Sequence, residues 1–147
     1  MNNQQEEILV RELGKVGSLG GKIGDGSAGS FGAIFVSRFL PTEQYQQQVS
    51  VSRDVSTALT KLVSFLANEG RIASDSEAGT SRYPKVSCVL GSGFLDMNPT
   101  LVHVEVIGAD DGSCLFLVSG AAKEGLIKQK SAQKAVNRVV QFLGTIG

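Results

Sequence analysis

From Gln46 onward, apolar and polar positions repeat with two distinct periods, and the switches between them divide the chain into elements. In QQVSVSRD, Val49 and Val51 share one face, the period of a half-buried strand. DVSTALTKLVSFLANEG changes period: Val55, Ala58, Leu59, Leu62, Val63 and Leu66 form one stripe of a helix. Asp54 is placed to cap its N-terminus and Gly70 to follow its last turn. RIAS reads as a short strand and DSEAGTS as a loop or hairpin tip. KVSCVLG puts Val86, Cys88 and Leu90 on one face, and TLVHVEVIG alternates Val102, Val104 and Val106 against His103 and Glu105. CLFLV follows across ADDGS, whose Asp111-Gly112 step is a hairpin signal. A second helical stripe closes the chain: Ala132, Ala135, Val136, Val139, Val140 and Leu143, with Ser131 placed to cap it and Gly144 to end it. AAKEGLIKQ fits either an earlier part of that helix or a separate segment.

This order, β-α-β-β-β-α, is satisfied by one antiparallel sheet of four to five strands with one or two amphipathic helices laid on a face, an α+β fold. In outline it resembles the helix-grip arrangement of START and Bet v 1-like lipid-binding proteins and, more simply, TATA-binding-protein-like domains. The resemblance covers residues 45–147 and is one of element order. Bet v 1-like proteins also carry a glycine-rich GDG loop, which IGDGSAG is similar to, although here it precedes the strand–helix unit. What the resemblance implies is a non-enzymatic domain whose sheet and long helix enclose a small apolar ligand.

Residues 1–44 have a different character and are expected to form a lead-in to the single domain 45–147. Between Gly14 and Gly32, 8 of 19 residues are glycine, which disfavours regular structure. GxGxxG occurs there as Gly24, Gly26 and Gly29, but a dinucleotide site needs a strand entering the first glycine and a helix leaving the third. GSLGGK is a poor strand, and Pro41 stops whatever follows, so no phosphate site is expected. The apolar run SFGAIFVSRFL, with Phe31, Ile34, Phe35, Phe39 and Leu40, reads as core, with a dimer surface or a peripheral membrane contact as alternatives.

Composition bounds the rest. The 147 residues carry no net charge and are 41% hydrophobic, an ordinary globular balance that gives no case for nucleic acid as a partner. The N-terminus lacks a secretory pattern and no apolar run is long enough to span a membrane, so the expected location is cytoplasmic. Cys88 and Cys114 sit in apolar runs with no metal-ligand spacing, the pattern of small buried hydrophobes. No metal or cofactor is expected. His103, the only histidine, shares a strand face with Glu105, making the two a weak acid–base candidate against a simple solvated face. Lys123, Lys128, Lys130, Lys134 and Arg138 concentrate positive charge at the C-terminal helix and are candidates for an anionic partner. The alternative to ligand binding is an interaction module that makes a homo-oligomer through the apolar segment or a sheet edge.

Overall fold

The computed structural model describes residues 6–12, 40–73, 84–91, 99–124 and 129–147. Its elements are β1 (Thr42–Val51), α1 (Val55–Glu69), β2 (Gly70–Ile72), β3 (Lys85–Leu90), β4 (Thr100–Asp110), β5 (Ser113–Lys123) and α2 (Ser131–Thr145), and residues 6–12 are helical. The strands form one five-stranded sheet in the order β1-β5-β4-β3-β2, every neighbouring pair antiparallel. The expected α+β architecture, with a long C-terminal helix laid on an antiparallel sheet in the helix-grip manner, is therefore the fold of the chain.

The alternating strand positions sort onto two faces. Val86, Cys88, Leu90, Val102, Val104, Val106, Cys114, Phe116, Val118 and Val51 point to the helices and join Ala58, Leu62, Leu66, Val136, Val139 and Leu143 in one core. The helical stripes are those the periodicity predicts, with one exception. Val63 is exposed, and Phe65 instead stacks on Phe142, ring centroids 4.1 Å apart and nearly parallel. That stack ties α1 to α2 along their outer edge.

Two glycines let backbones approach. A Cβ on Gly120 would stand 2.8 Å from Val136 Cγ2 and 3.1 Å from the Ala132 carbonyl oxygen, so α2 lies directly on β5 there. A Cβ on Gly70 would stand 2.4 Å from the Val89 carbonyl oxygen. Gly70 is extended, with φ −165°, and starts β2 instead of turning left-handed past the helix. At the β4–β5 end the expected hairpin is present, with Gly112 at φ 84°. The register shifts between Val106 and Gly108, so Ile107 is an extra, exposed residue of a bulge.

The two helix starts differ. Asp54 caps α1 as expected, its Oδ2 accepting from the Thr57 N–H at 2.9 Å. Ser131 does not cap α2: it is the first helical residue, and the cap position is Lys130, at φ 54°, without a side-chain cap. Two carboxylates from outside the helix supply the acceptors. Glu124 Oε1 accepts from the Ser131 N–H at 2.9 Å and Glu43 Oε2 from the Ala132 N–H at 2.8 Å. AAKEGLIKQ is not an early part of the helix where it is described, since Ala121, Ala122 and Lys123 complete β5. Cys88 and Cys114 are free and buried, on strands separated by β4, and burial raises both thiols, Cys88 to about 11.

Candidate functional site

The second face of the sheet carries Arg71, Lys85, Ser87, Val89, Leu101, His103, Glu105, Leu117, Ser119, Ala121, Gln44, Gln46 and Gln48, by the same alternation. It is divided into three bands. At one end Ile8 and Leu9 of the N-terminal helical segment bury Val89, Leu101 and Ala121 in a second apolar cluster. Ion pairs pin that segment on both sides: Lys123 Nζ to Glu6 Oε1 at 3.0 Å, and Arg71 to Glu12. At the other end Lys85 pairs with Glu105 at 3.3 Å.

Between these bands runs a polar row. Ser87 opposes His103, His103 opposes Ser119, and Ser119 opposes Gln46, so four strands each contribute one side chain to a line across the sheet. Ser87 Oγ and His103 Nδ1 are 2.6 Å apart. Burial, with the Lys85 charge adding to it, lowers the His103 pKa, so the ring is neutral at pH 7. Its Nε2 is buried and has no hydrogen-bond partner among the described residues. His103, Ser119 and Ala121, with Gln44 and Gln46 and the backbone at Tyr45 and Gly120, line a cleft of about 430 Å³. Ala121 belongs to both the cleft and the apolar cluster, whose other members are buried.

His103 and Glu105 do lie together on the face away from the valines, but each is engaged across the sheet, His103 with Ser87 and Glu105 with Lys85. His103 is also enclosed more than a solvated face would allow. The five cations are dispersed. Lys123 is buried against Glu6 and the Leu40 carbonyl, and Arg138 pairs with Glu69 on α1. Lys130 and Lys134 are exposed at the start of α2, and Lys128 lies outside the described residues. The glycine-rich stretch 14–32 and the apolar run up to Phe39 also lie outside them. Among the described residues no group of three His, Cys, Asp or Glu could hold a metal, and no helix is long and apolar enough to cross a membrane.

A shallower groove of about 400 Å³ runs between the helices, with Thr60, Ser64, Phe65, Phe142 and Ile146 in its walls. Beneath α2, by contrast, the described side chains fill the space. Phe116, Val118, Val102 and Val136 are each 0% exposed.

No family model matches the chain, and no curated protein matches its sequence. Solved structures resemble it in fold. A START superfamily protein from Mycobacterium smegmatis is 10% identical over 70% of this chain and 92% of its own, TM-score 0.38. Norcoclaurine synthase from Thalictrum flavum, in complex with dopamine and hydroxybenzaldehyde, is 13% identical over 78% and 93%, TM-score 0.38. Ara h 8.0201 is 11% identical over 72% and 95%, TM-score 0.38. No residue role is carried over from any of them.

Proposed function

We propose that the protein is a cytoplasmic, non-enzymatic binding protein for a small, partly apolar ligand held on the second face of its sheet. The observation that carries this reading is the cleft at His103, where Ala121 and a row of uncharged polar side chains surround a half-buried histidine whose Nε2 has no partner among the described residues. Its volume is in the range of small-molecule sites, which commonly combine apolar walls with a few placed polar groups. An enclosed site between sheet and α2 is disfavoured by the packing there. Catalysis is disfavoured because Ser87, the one hydroxyl bonded to the histidine, is buried and does not line the cleft that His103 lines.

Native mass spectrometry of the purified protein, repeated after denaturation, tests the reading. The wild type is expected to carry an extra small mass that denaturation releases. Ser119→Trp, which fills the cleft from its floor, and Gln46→Trp, which crosses it from an exposed position, should each reduce occupancy at least tenfold. A wild type that never carries a ligand, or variants that carry it undiminished, would overturn the assignment.

A second reading, self-association, is favoured by β1. It is a ten-residue edge strand, paired on one side only among the described residues, with no charged residue from Gln44 to Ser52. Edge strands commonly carry charge, proline or bulges that block such pairing. If two copies join antiparallel through β1, Gln48→Lys puts a charge from each copy into the seam. Light scattering should then show the dimer dissociation constant raised at least tenfold, while a wild type monomeric at high concentration would exclude this mode.

A further inference from the structure

We infer that the cleft recognises its ligand through a hydrogen-bond acceptor oxygen, received by the Nε2–H of a neutral His103 whose tautomer Ser87 fixes. This rests on the cleft being the ligand site and adds the chemistry that site selects.

The argument is one of donor and acceptor accounting. Ser87 and His103 lie 2.6 Å apart, and the bond can run in either direction. If Nδ1–H donated to Ser87 Oγ, the serine's own proton would have no acceptor among its described contacts, in a residue only 6% exposed. The Nε2 lone pair would then be stranded as well. A buried donor and a buried acceptor would both go unmet, each costing about 1–3 kcal/mol. If Ser87 donates to Nδ1, one group alone is left over, the Nε2–H. That single orphan is a donor, so what completes it is an acceptor.

Three features sharpen the class. The ring is uncharged at neutral pH because it is buried and faces Lys85, so it presents one directed N–H in place of a diffuse cation. Across the polar row Ser119 and Gln46 offer further neutral groups. Beside them Ala121 gives the cleft an apolar wall, with Val89 and Leu101 behind it covered by Ile8 and Leu9. A ligand that fits has an apolar body with a carbonyl or similar oxygen near one end. An ammonium, which only donates, meets a donor at the histidine.

His103 is the only histidine in the chain, so long-range nitrogen–proton NMR of the full-length protein reads this ring without overlap. The free protein at pH 7 is expected to show the Nε2–H tautomer. Ser87→Ala, which removes the hydroxyl with little change of volume, is expected to let the two tautomers mix while the backbone spectrum stays folded. Two probes of equal chain length, 2-nonanone and nonylamine, then test the selection. The ketone should bind at least tenfold more tightly and shift the His103 ring signals, and His103→Leu should abolish that preference. A Nδ1–H tautomer in the free protein, or nonylamine binding as well as 2-nonanone, would overturn the inference. Backbone shifts at Ser119 and Ala121 separate the two levels of failure. Equal binding of both probes there leaves the cleft standing without its anchor, whereas no shift with either probe overturns the cleft and the anchor together.

Discussion

Gly120→Val is expected to lower the unfolding free energy by about 3 kcal/mol, although valine is among the best strand formers and glycine among the worst. The added Cβ alone would stand 2.8 Å from Val136 Cγ2 and 3.1 Å from the Ala132 carbonyl oxygen. The first neighbour is a fully buried side chain and the second is helix backbone, so neither can swing aside. To admit the valine, α2 must lift from β5 or the strand must bend away. Gly120→Ala, which adds the Cβ without branches, should cost less. Val136→Ala removes the nearer obstacle and should recover part of the loss, a coupling that a double-mutant cycle in urea denaturation measures directly. A Gly120→Val protein as stable as wild type would show that α2 does not rest on the strand at this point.

The same contact bears on function. From sequence the small residues Ala132 and Ala135 are compatible with a ligand space between sheet and long helix. They are equally compatible with close packing, and the structure shows why the second applies. Gly120 lies opposite them, so small residues on both partners bring helix and sheet together instead of opening a gap. Phe116 and Val118 then occupy the interior beside them.

Period alone was enough to find the strands, both helices, the Asp54 cap and the Asp111-Gly112 hairpin, because each is written in neighbouring residues. The candidate site was only half legible for the same reason. Alternation puts His103 and Glu105 on one face and suggests that they pair. On a pleated sheet, however, residues two apart along a strand are about 6.8 Å apart, whereas the residue directly opposite on the next strand is about 4.5–5.5 Å away. Ser87 and Lys85 hold those closer positions, and finding them requires the β3–β4 register. The basic stripe fails similarly. Lys123 and Arg138 have partners, Glu6 and Glu69, from elements remote in sequence. One signal was available and informative: Glu43 sits at an inward position of β1, in phase with Tyr45, Val49 and Val51. A carboxylate in phase with core residues needs a partner, and Glu43 has one in the N-terminus of α2.

That arrangement leads to the second large effect, on the start of α2. Glu124→Ala is expected to cost about 2 kcal/mol, since it leaves the buried Ser131 N–H without its acceptor and removes negative charge from the positive end of a fifteen-residue helix. The two carboxyls there do not titrate alike. Burial raises the Glu43 pKa above 4.5, with the hydrogen bond and charge of Glu124 adding to it and the Ala132 N–H pulling against it. Burial acts in the same upward direction on Glu124, but the Ser131 N–H, the hydrogen bond from Glu43 and the backbone N–H groups of Gln129 and Lys130 hold it below 4.5. When the pair holds one proton it sits on Glu43, which then donates to an ionised Glu124. A depressed carboxyl contributes stability above its unfolded pKa and loses it as pH falls through the folded value, which sets the acid limb. A raised carboxyl behaves oppositely: its contribution is complete below 4.5 and is lost as pH rises through the folded value. Wild-type stability should therefore decline from mildly acidic toward neutral pH. In Glu43→Gln the amide accepts from Ala132 and donates to Glu124 at every pH, so urea midpoints between pH 5 and 8 should lose that decline and exceed wild type at the upper end. If the two proteins fall in parallel, Glu43 is not the proton carrier of the pair.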